Sequence, residues 1–460
     1  MRVRKEGTMG RLFGTDGIRG IANTELTCET AMQLGRAIAN VLNKGRHKRA
    51  DTVVLGMDTR QSSEMLACAM SAGLCSAGMD VINLGVVPTP AVAYLIGKYK
   101  AHAGIMISAS HNPSEFNGIK IFGEAGMKLP DALEERVEYL VLDAPEKLGT
   151  VTPDMVGTVT HAADAAKDYI AHIRSTVLYA FDGVEIAIDC ANGSASGTAK
   201  ELFEGLGAKC HMLACEPDGY NINEGCGSTH LEVLQKYVVE NGLFMGIAFD
   251  GDADRCLCVD EKGSIVDGDL IMAIIAKDMK ERGRLTGNAL VGTIVSNFGL
   301  GKFCEENGIR FVRTKVGDRY VLEKMLLEDY YFGGEQTGHV IFRDFATAGD
   351  GQLTALQLLS VLCRKGISLS EAGKVMKQYP QVTKNIRANH EQKLEFYTSD
   401  KVREILDEAK EALGQNGRVV VRPSGTEPLI RIMAEGDDMA LVEAIVDGMS
   451  RDITAALAGA

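Results

Sequence analysis

The chain has 460 residues, of which 45% are hydrophobic and 24% are charged, and these values are ordinary for a globular protein. Its formal net charge of -13 argues against a nucleic acid partner, because phosphate backbones bind basic surfaces. No apolar run approaches the roughly 18 residues of a membrane span, and the first residues lack a hydrophobic signal core. The 11 cysteines occur without CxxC pairs, so we expect a cytoplasmic protein with reduced thiols and no membrane association.

Three segments repeat one pattern of apolar strand, turn, amphipathic helix, glycine and second apolar strand, and they cover residues 52–85, 184–213 and 288–317. Strand-helix-strand units favour a parallel sheet with covering helices, so the repeat predicts three related mixed α/β domains. After residue 366 the order changes to strand, helix, two strands and helix, which predicts a smaller C-terminal α+β domain. The predicted domains are residues 1–155, 156–258, 259–368 and 369–460.

The first polar motif follows an apolar strand within residues 103–120, where Ser110 and His111 are adjacent and Lys120 ends the segment. A serine beside a histidine invites a hydrolase interpretation. Adjacent side chains seldom act as nucleophile and base, however, and no GxSxG elbow is present. By itself the segment is typical of a turn whose serine and asparagine side chains bond to their own backbone.

The second motif places three carboxylates at alternate positions between the apolar runs GIAF and CLCV: Asp250, Asp252 and Asp254. They repel one another unless a cation lies between them, and small Gly251 and Ala253 let the chain curl around one ion. Oxygen ligands without His or Cys favour magnesium, manganese or calcium over zinc. An EF-hand is an alternative, although its sixth position needs glycine and is Arg255 here; a solvated acidic turn is another.

Two further motifs are polar turns that contain glycine. The stretch FGGEQTGH presents Glu335, Thr337 and His339 at alternate positions, which suits the vicinal hydroxyls of a sugar ring. The stretch VVVRPSGTEPLIR frames a turn with Arg422 and Arg431, and its backbone amides and guanidinium groups suit phosphate oxygens. Either turn taken alone is also typical of an ordinary hairpin.

Positive charge lies beside nearly every motif of this acidic chain. Each cation alone would be an ordinary surface residue, but their joint placement against the sign of the net charge favours an anionic small substrate. These cations are Arg19, Lys120, Arg255, Lys315, Arg319, Arg422 and Arg431.

In their order and over essentially the whole chain, the four motifs resemble those of the α-D-phosphohexomutase superfamily. SASHNP is similar to its phosphoserine loop, DGDAD to its metal loop, GEQTGH to its sugar loop and RPSGTEP to its phosphate loop. The stretches FGTDGIRG, GEQ and TKVGDRYV are most similar to the bacterial phosphoglucosamine mutases within it. The resemblance implies an isomerase whose four domains surround a central cleft, and it implies a homodimer.

The resemblance also implies that Ser110 carries a transferable phosphoryl group and that this phosphate completes a Mg²⁺ site with the three aspartates. The implied reaction interconverts glucosamine 6-phosphate and glucosamine 1-phosphate through a bisphosphorylated sugar, with sugar bisphosphate as activator, and feeds amino-sugar nucleotide and cell-wall precursor synthesis. The alternatives are phosphoglucomutase or phosphomannomutase activity and a non-catalytic sugar-phosphate sensor. Expected proton-transfer or charge-stabilising groups are His111, Lys120, Arg255 and His339. Expected substrate contacts are Arg19, Glu335, Thr337, Arg422, Ser424, Gly425, Thr426 and Arg431.

Two residues depart from the superfamily pattern. Ala253 replaces the second glycine of the metal loop, and if that position has a positive φ, alanine costs about 1 kcal/mol of strain. Thr337 stands where serine is usual, so the hydroxyl is kept and a methyl group is added.

Overall fold

A computed structural model of the protein describes residues 11–14, 16–42, 51–424 and 428–458. These residues form four β-sheets of six, five, four and three strands in chain order. Helices pack against the sheets, so the architecture is the predicted one of three mixed α/β domains followed by a smaller α+β domain. No helix in the described part of the chain has the length and apolar character that a membrane crossing requires.

The first sheet combines parallel strands with a hairpin at one side. Its elements are β1 (Ile18–Ile21), α1 (Cys28–Leu42), β2 (Thr52–Met57), α2 (Gln61–Ser76), β3 (Asp80–Val86), α3 (Thr89–Lys98), β4 (Ala103–Ile107), β5 (Phe116–Gly123), α4 (Asp131–Leu142) and β6 (Val159–His161). The strand order is β1-β5-β4-β2-β3-β6. His161 ends β6, which extends the sheet beside β3.

The second sheet has the order β11-β10-β9-β7-β8. Its elements are α5 (Ala165–Arg174), β7 (Glu185–Asp189), α6 (Ala199–Glu204), β8 (Lys209–Leu213), α7 (Glu232–Asn241), β9 (Met245–Phe249), β10 (Cys256–Val259) and β11 (Ile265–Val266). The apolar runs GIAF and CLCV lie in β9 and β10 and pair as an antiparallel hairpin. Both are almost fully buried, which explains why the sequence has uninterrupted apolar runs on either side of the aspartates.

The third sheet has the order β13-β12-β14-β15. Its elements are α8 (Gly268–Glu281), β12 (Ala289–Thr293), α9 (Phe298–Glu306), β13 (Arg310–Thr314), α10 (Asp318–Leu327), β14 (Phe332–Gly334), β15 (Val340–Phe342), α11 (Gly351–Lys365) and α12 (Leu369–Ala372).

The fourth sheet is antiparallel, with the order β16-β18-β17. Its elements are β16 (Gln381–Arg387), α13 (His390–Phe396), α14 (Asp400–Leu413), β17 (Arg418–Pro423), β18 (Leu429–Glu435) and α15 (Met439–Ala456). The predicted strand, helix, two strands and helix are present. The additional helix α13 begins with a capping box in which Asn389 and Gln392 bond to each other's backbone N–H.

The first three sheets share one topology. The orders β5-β4-β2-β3, β10-β9-β7-β8 and β15-β14-β12-β13 are equivalent. Each sheet contains one antiparallel hairpin at the same place in this order, formed by β4 and β5, by β9 and β10, and by β14 and β15. The serine, aspartate and glutamate motifs occupy these three hairpin turns, and the arginine motif occupies the β17–β18 turn. Each sheet therefore supplies one polar loop.

One continuous apolar cluster joins buried residues of the first three sheets, including Val54, Ile188 and Leu290, and this shared core fixes their hairpins relative to one another. The fourth sheet has a core of its own around Ile432. Because β6 pairs with β3 and β10 pairs with β9, we propose domain divisions near residues 162, 267 and 376, a few residues beyond those expected from sequence.

Candidate active site

The first two hairpin turns meet at Ser110, which follows β4, and Asp250, which follows β9. Oγ of Ser110 donates a hydrogen bond to Oδ2 of Asp250 at 2.6 Å, and both residues are fully buried. The N–H of Ser110 donates to Oγ of Ser108 at 2.9 Å, and the φ of Ser110 is 54°. L residues seldom adopt this left-handed conformation, so the surrounding contacts must hold the serine in place.

The aspartate loop is a tight turn that gathers its three carboxylates. Asp250, Asp252 and Asp254 are buried, and each offers an oxygen within 4.8 Å of those of the other two. Ala253 has a φ of 56°, and its N–H donates to the carbonyl of Asp250 at 3.0 Å, which closes the turn. Alanine therefore occupies the left-handed position at which the sequence predicts strain.

The donor set of this loop fits a hard divalent cation. Oδ1 of Asp252 and Oδ1 of Asp254 are buried and have no hydrogen-bond partner among the described residues. Burial, followed by the neighbouring Asp254 and Asp252, raises the pKa of Asp250 to about 8. A cation between the carboxylates would use the free oxygens and favour the charged form of all three.

Lys120, in β5, places a fixed positive charge beside this loop. Its Nζ lies 2.7 Å from Oδ2 of Asp252, 3.0 Å from Oδ2 of Asp254 and 3.2 Å from Oδ2 of Asp16. Burial opposes the charge on the lysine, but the three carboxylates hold its pKa well above the usual value. Lys120 is therefore suited to stabilising negative charge and unsuited to accepting a proton.

Asp16 also belongs to a chain of alternating charges that returns to the aspartate loop. Nζ of Lys128 lies 2.5 Å from Oδ1 of Asp16 and 2.7 Å from Oδ2 of Asp318. Nε2 of His339 lies 3.6 Å from Oδ2 of Asp318, and its Nδ1 lies 3.6 Å from Oδ1 of Asp254. With the lysine of β5, these groups form a closed ring that joins residues of the first three sheets.

Two opposing influences set the protonation of His339. Burial disfavours its charge, but the carboxylates, Asp254 first, raise its pKa to about 9. The N–H of Gly349 donates to Nε2 at 3.0 Å, which requires a lone pair there and leaves the ring proton on Nδ1, facing Asp254. The hydrogen bond from Gly349 favours the neutral ring, and a cation bound to Asp254 would weaken the pull of that carboxylate and lower the pKa of His339.

His111 and Arg255 flank the serine and the aspartates. Nδ1 of His111 lies 3.3 Å from Oγ of Ser110. Burial, followed by the charges of Arg255 and Arg19, lowers the pKa of His111 to about 4, so its ring is neutral at pH 7. Nε of Arg255 lies 3.8 Å from Oδ1 of Asp254, and the nearby carboxylates overcome burial to raise the pKa of this guanidinium. The pair supplies a proton acceptor and a cation.

The third hairpin turn lies against the strand that follows the aspartate loop. The N–H of Cys256 donates to the carbonyl of Gly338 at 3.0 Å, and a Cβ on Gly338 would lie 2.2 Å from the carbonyl oxygen of Cys256. Glycine is therefore required at this contact. Glu335 is half-buried and accepts a hydrogen bond from the N–H of Gly317 at 2.9 Å, whereas Thr337 is exposed at the turn.

The fourth hairpin places Arg422 directly opposite Arg431, so both side chains project from the same face of the sheet. Burial, followed by the charge of Arg431, lowers the pKa of Arg422. Two guanidinium groups on one face favour an anion between them. Ser424 is buried after β17; Gly425 and Thr426, also predicted contacts, lie outside the described residues.

Two predicted cations are engaged in ion pairs. Nη2 of Arg19 lies 2.6 Å from Oδ2 of Asp16, at the margin of the charge ring. Arg319 pairs with Asp131 and, at 2.6 Å, with Glu134. Because these partners lie in α4, Arg319 links the third sheet to the first, a role that its place beside a motif did not predict.

Four sequence profiles of the phosphoglucomutase/phosphomannomutase family match the chain in order. The α/β/α domains I, II and III match residues 10–147, 167–263 and 267–379, and the C-terminal domain matches 373–451. Phosphoglucosamine mutase from Acetivibrio thermocellus is 50% identical over 435 residues, which are 95% of this chain and 97% of that protein. The enzyme of the same name from Caldanaerobacter subterraneus is 51% identical over 434 residues, 94% and 96% of the two chains. The chain belongs to the α-D-phosphohexomutase superfamily.

Solved structures share the fold of this phosphohexomutase. A phosphoglucomutase/phosphomannomutase family protein from Burkholderia thailandensis has a TM-score of 0.82 at 24% identity, covering 97% of this chain and 98% of its own. N-acetylphosphoglucosamine mutase from Aspergillus fumigatus, solved with GlcNAc-6P and magnesium, has a TM-score of 0.70 at 15% identity and covers 97% and 96% of the two chains. The predicted superfamily, fold class and isomerase class are confirmed.

Three residues that sequence reasoning missed hold the serine loop of this phosphohexomutase. Nη2 of Arg60 and Nδ2 of Asn223 each donate to the carbonyl oxygen of Ser110 at 2.9 Å. Oδ2 of Asp58 lies 2.8 Å from Nε of Arg60, and both side chains are fully buried. The sequence could have indicated Asp58 and Arg60, because two charged residues lie within three positions after the apolar run TVVLGM. Nothing in the sequence singled out Asn223.

Hairpins of the first three sheets bring all of the predicted catalytic and metal residues into one largely buried cluster: Ser110, His111, Lys120, Asp250, Asp252, Asp254, Arg255 and His339. No hydrogen bond or ion pair between described residues joins Thr337 or Arg422 to this cluster. The cluster sets a serine hydroxyl against a group of carboxylates suited to a cation, with fixed positive charges beside the same carboxylates, an arrangement suited to moving a phosphoryl group.

Proposed function

We propose that this phosphohexomutase interconverts glucosamine 6-phosphate and glucosamine 1-phosphate through a phosphoserine at Ser110. The observation that carries the proposal is the 2.6 Å contact between Oγ of Ser110 and the buried carboxylate cluster. The choice of an amino sugar rests on the relatives, which are phosphoglucosamine mutases at 46–51% identity over nearly the whole chain.

The reaction consists of two phosphoryl transfers. In the first, the bond between phosphorus and Oγ of Ser110 breaks, a bond to the free sugar hydroxyl forms, and a base takes the hydroxyl proton. The bisphosphorylated sugar then turns around. The bond between its other oxygen and phosphorus breaks and a bond from that phosphorus to Oγ of Ser110 forms, which regenerates the phosphoserine. Oγ loses the proton that it took up on leaving, and the released sugar oxygen takes a proton. Atoms balance over the cycle, so the sugar bisphosphate is required only in traces to load the serine.

The aspartate loop would hold Mg²⁺ with the phosphate on Ser110 as a further ligand. The bound ion would offset the charge of a phosphoserine, about -1.5 to -2 at pH 7. Lys120 and Arg255 would stabilise charge that develops on the moving group, and the neutral ring of His111 and the buried ring of His339 are suited to proton transfer.

The remaining loops would bind the parts of the substrate that do not react. Arg422 and Arg431, with Ser424, Gly425 and Thr426, would hold the distant phosphate, because paired guanidinium groups match its oxygens. Glu335 and Thr337 would bond ring hydroxyls in either orientation of the sugar, and Arg19 would contact the substrate beside the serine loop. The homodimer implied by the sequence resemblance and the cytoplasmic location stay predictions, and light scattering of the purified protein tests the first.

The proposal is tested by turnover of purified protein with Mg²⁺ and a trace of glucose 1,6-bisphosphate on glucosamine, glucose and mannose phosphates. We expect the highest kcat/KM for the glucosamine phosphates. Preference for glucose or mannose would make the enzyme a phosphoglucomutase or phosphomannomutase. No turnover on any of them, with no phosphate on Ser110 by mass spectrometry, would support the sensor hypothesis.

Replacement of the serine tests the phosphoryl carrier. Ser110→Ala should lower kcat by at least about 10³-fold, because a covalent intermediate is lost, while the fold is retained. Ser114→Ala, in the same loop, is the matched control and should keep activity. Unchanged turnover in Ser110→Ala would exclude this serine as the carrier.

Replacement of one aspartate tests the cation site by binding as well as by activity. In calorimetric titration with Mg²⁺, Asp252→Asn should bind the ion at least about tenfold more weakly than wild type, because one charged ligand is lost. The control is Asp260→Asn, which replaces a buried aspartate of the β10–β11 turn outside the cluster and should bind Mg²⁺ as wild type does. Equal affinity of all three proteins would place the ion elsewhere.

A further inference from the structure

Arg60 lies in the turn between β2 and α2, is 3% exposed, and directs its guanidinium into the serine loop. Its Nη2 donates to the carbonyl oxygens of Ser110 at 2.9 Å and Asn112 at 2.8 Å. Its Nη1 donates to the carbonyl oxygens of Phe116, at 3.0 Å, and of Pro113. One side chain therefore binds four backbone carbonyls between the end of β4 and the first residue of β5.

The guanidinium is itself held by Asp58. Oδ2 of Asp58 accepts hydrogen bonds from Nε of Arg60 at 2.8 Å and from Oγ of Ser108 at 2.7 Å. Oγ of Ser108 in turn accepts from the N–H of Ser110 at 2.9 Å. The N–H of Ser110 is thus fixed through Ser108 and its carbonyl through Arg60, and both routes end on the same buried carboxylate.

A second side chain reaches the same carbonyl from the second sheet. Nδ2 of Asn223, in the segment after β8, donates to the carbonyl oxygens of Ser110 at 2.9 Å and Asn112 at 3.1 Å. Asn223 is buried, and its N–H donates to the carbonyl of Ala191 at 2.9 Å. The aspartate loop touches this point too, since a Cβ on Gly251 would lie 2.6 Å from the carbonyl oxygen of Ser110.

These contacts converge on a serine in an unfavourable conformation. The φ of 54° at Ser110 aims Oγ at Asp250, and relaxation to a common φ would rotate the peptide and move Oγ. The carbonyl that such a rotation would displace is the one that Arg60 and Asn223 bind. Their effect is exerted on the backbone, and neither side chain donates to Oγ itself.

We propose that Arg60 and Asn223 are positioning residues that clamp the carbonyl of Ser110 from two sheets and keep Oγ aligned with the aspartate loop during both phosphoryl transfers. The inference rests on the proposed role of Ser110 as phosphoryl carrier. Among the described residues, neither Arg60 nor Asn223 forms a hydrogen bond with the sugar loop, so loss of the clamp lowers the rate of transfer and leaves sugar binding nearly unchanged.

The experiment compares the wild type with Arg60→Lys and Asn223→Ala in two assays. The first measures kcat and KM at steady state. The second measures the rate at which glucose 1,6-bisphosphate phosphorylates Ser110 in a single turnover, with intact-mass analysis of the protein as the readout. Arg60→Lys should lower both rates about 30-fold with KM changed less than about threefold, because lysine cannot bond to several carbonyls in one plane. Asn223→Ala should lower both about tenfold. The control Arg36→Lys, an arginine of α1 that bonds to Ser76, should leave both rates unchanged.

Rescue separates positioning from a loss of folding. Guanidinium ion at millimolar concentration should restore part of the phosphorylation rate of Arg60→Ala, because it can occupy the vacated site between the same carbonyls, and it should not stimulate Ser110→Ala. If Arg60→Lys does not fold, Asn223→Ala decides by the same criteria. Two results would overturn the clamp. One is that both rates of the folded variants stay within about twofold of wild type, and the other is that an increase in KM accounts for the whole loss of kcat/KM.

The labelling step does not involve glucosamine, so the two proposals fail separately. A wild type that is labelled on Ser110 but does not turn over glucosamine phosphates contradicts the proposed substrate, and the labelling rates still test the clamp. A wild type that glucose 1,6-bisphosphate never labels on Ser110 overturns both.

Discussion

At the scale of single residues, several small free-energy contributions of opposite sign set the cost of having alanine rather than glycine at position 253. Its φ of 56° costs an L residue about 1 kcal/mol relative to glycine. Its methyl group is fully buried, however, and contributes about 0.8 kcal/mol. Alanine also restricts the unfolded chain more than glycine does, by about 0.4–1 kcal/mol. The terms nearly cancel, so the loop tolerates alanine in place of glycine.

Ala253→Gly should therefore change the free energy of unfolding by less than about 1 kcal/mol, with glycine the less stable of the two. The affinity for Mg²⁺ should change less than about threefold, because the carboxylates keep their positions. Urea denaturation and calorimetric titration measure the two quantities. Stabilisation by more than about 2 kcal/mol would mean that the strain at this position exceeds the value given above.

At the scale of elements, Asp350 is the residue that caps the N-terminus of α11, and its burial disfavours the charged carboxylate. Its Oδ1 accepts from the N–H of Leu353 at 2.9 Å and from the hydroxyl of Tyr169 at 2.9 Å. Burial raises the pKa of Asp350 to about 7 against these hydrogen bonds. The neighbouring N–H of Gly349 bonds to His339, and that of Gly351 donates to the carbonyl of Ala253 at 3.0 Å, so the start of this helix supports two site loops.

A raised pKa means that the folded protein binds the proton of Asp350 more tightly than the unfolded chain does. Its contribution to stability is therefore full below about pH 4 and falls as pH rises to about 7. Asp350→Asn keeps a capping oxygen and removes this titration, so the difference in unfolding free energy, variant minus wild type, should increase by up to about 4 kcal/mol from pH 4 to pH 8. Urea denaturation over this range measures it.

At the scale of the whole molecule, ion pairs between sheets reinforce the shared apolar core. Lys128, from the segment after β5, bonds to Asp318 at the start of α10, and the two side chains are 15% and 19% exposed. Arg319 adds a second tie from the same helix to α4. Partial burial makes the loss of one partner costly, because the other charge is left without compensation.

Lys128→Met and Asp318→Asn should each lower the free energy of unfolding by about 3 kcal/mol. The double variant should lose less than the sum by at least about 1 kcal/mol, because the two residues interact directly. The exposed pair of Lys324 and Glu328 is the control, and Lys324→Met should cost less than about 0.5 kcal/mol. Additive losses in the double variant would contradict a direct tie between the sheets.

The sequence alone predicted much of the architecture, because each strand-helix-strand unit is specified by residues close together in the chain. The apolar runs around the aspartates became β9 and β10, and the last five predicted elements became β16, α14, β17, β18 and α15. The hairpin that follows each unit was not recognised as a repeat, since β14 and β15 are only three residues long. The β6 strand was missed because its residues are exposed and lack an apolar pattern.

The chain by itself determined the chemistry, because DGDAD, SASHNP, GEQTGH and RPSGTEP fix which functional groups are present. Tertiary structure decided which groups meet. Only the fold sets Ser110 against Asp250, closes the ring through Asp16, Lys128 and Asp318, and brings Asn223 to the serine carbonyl. These contacts join residues far apart in sequence, and their partners are set by sheet pairing and core packing, which no local pattern encodes.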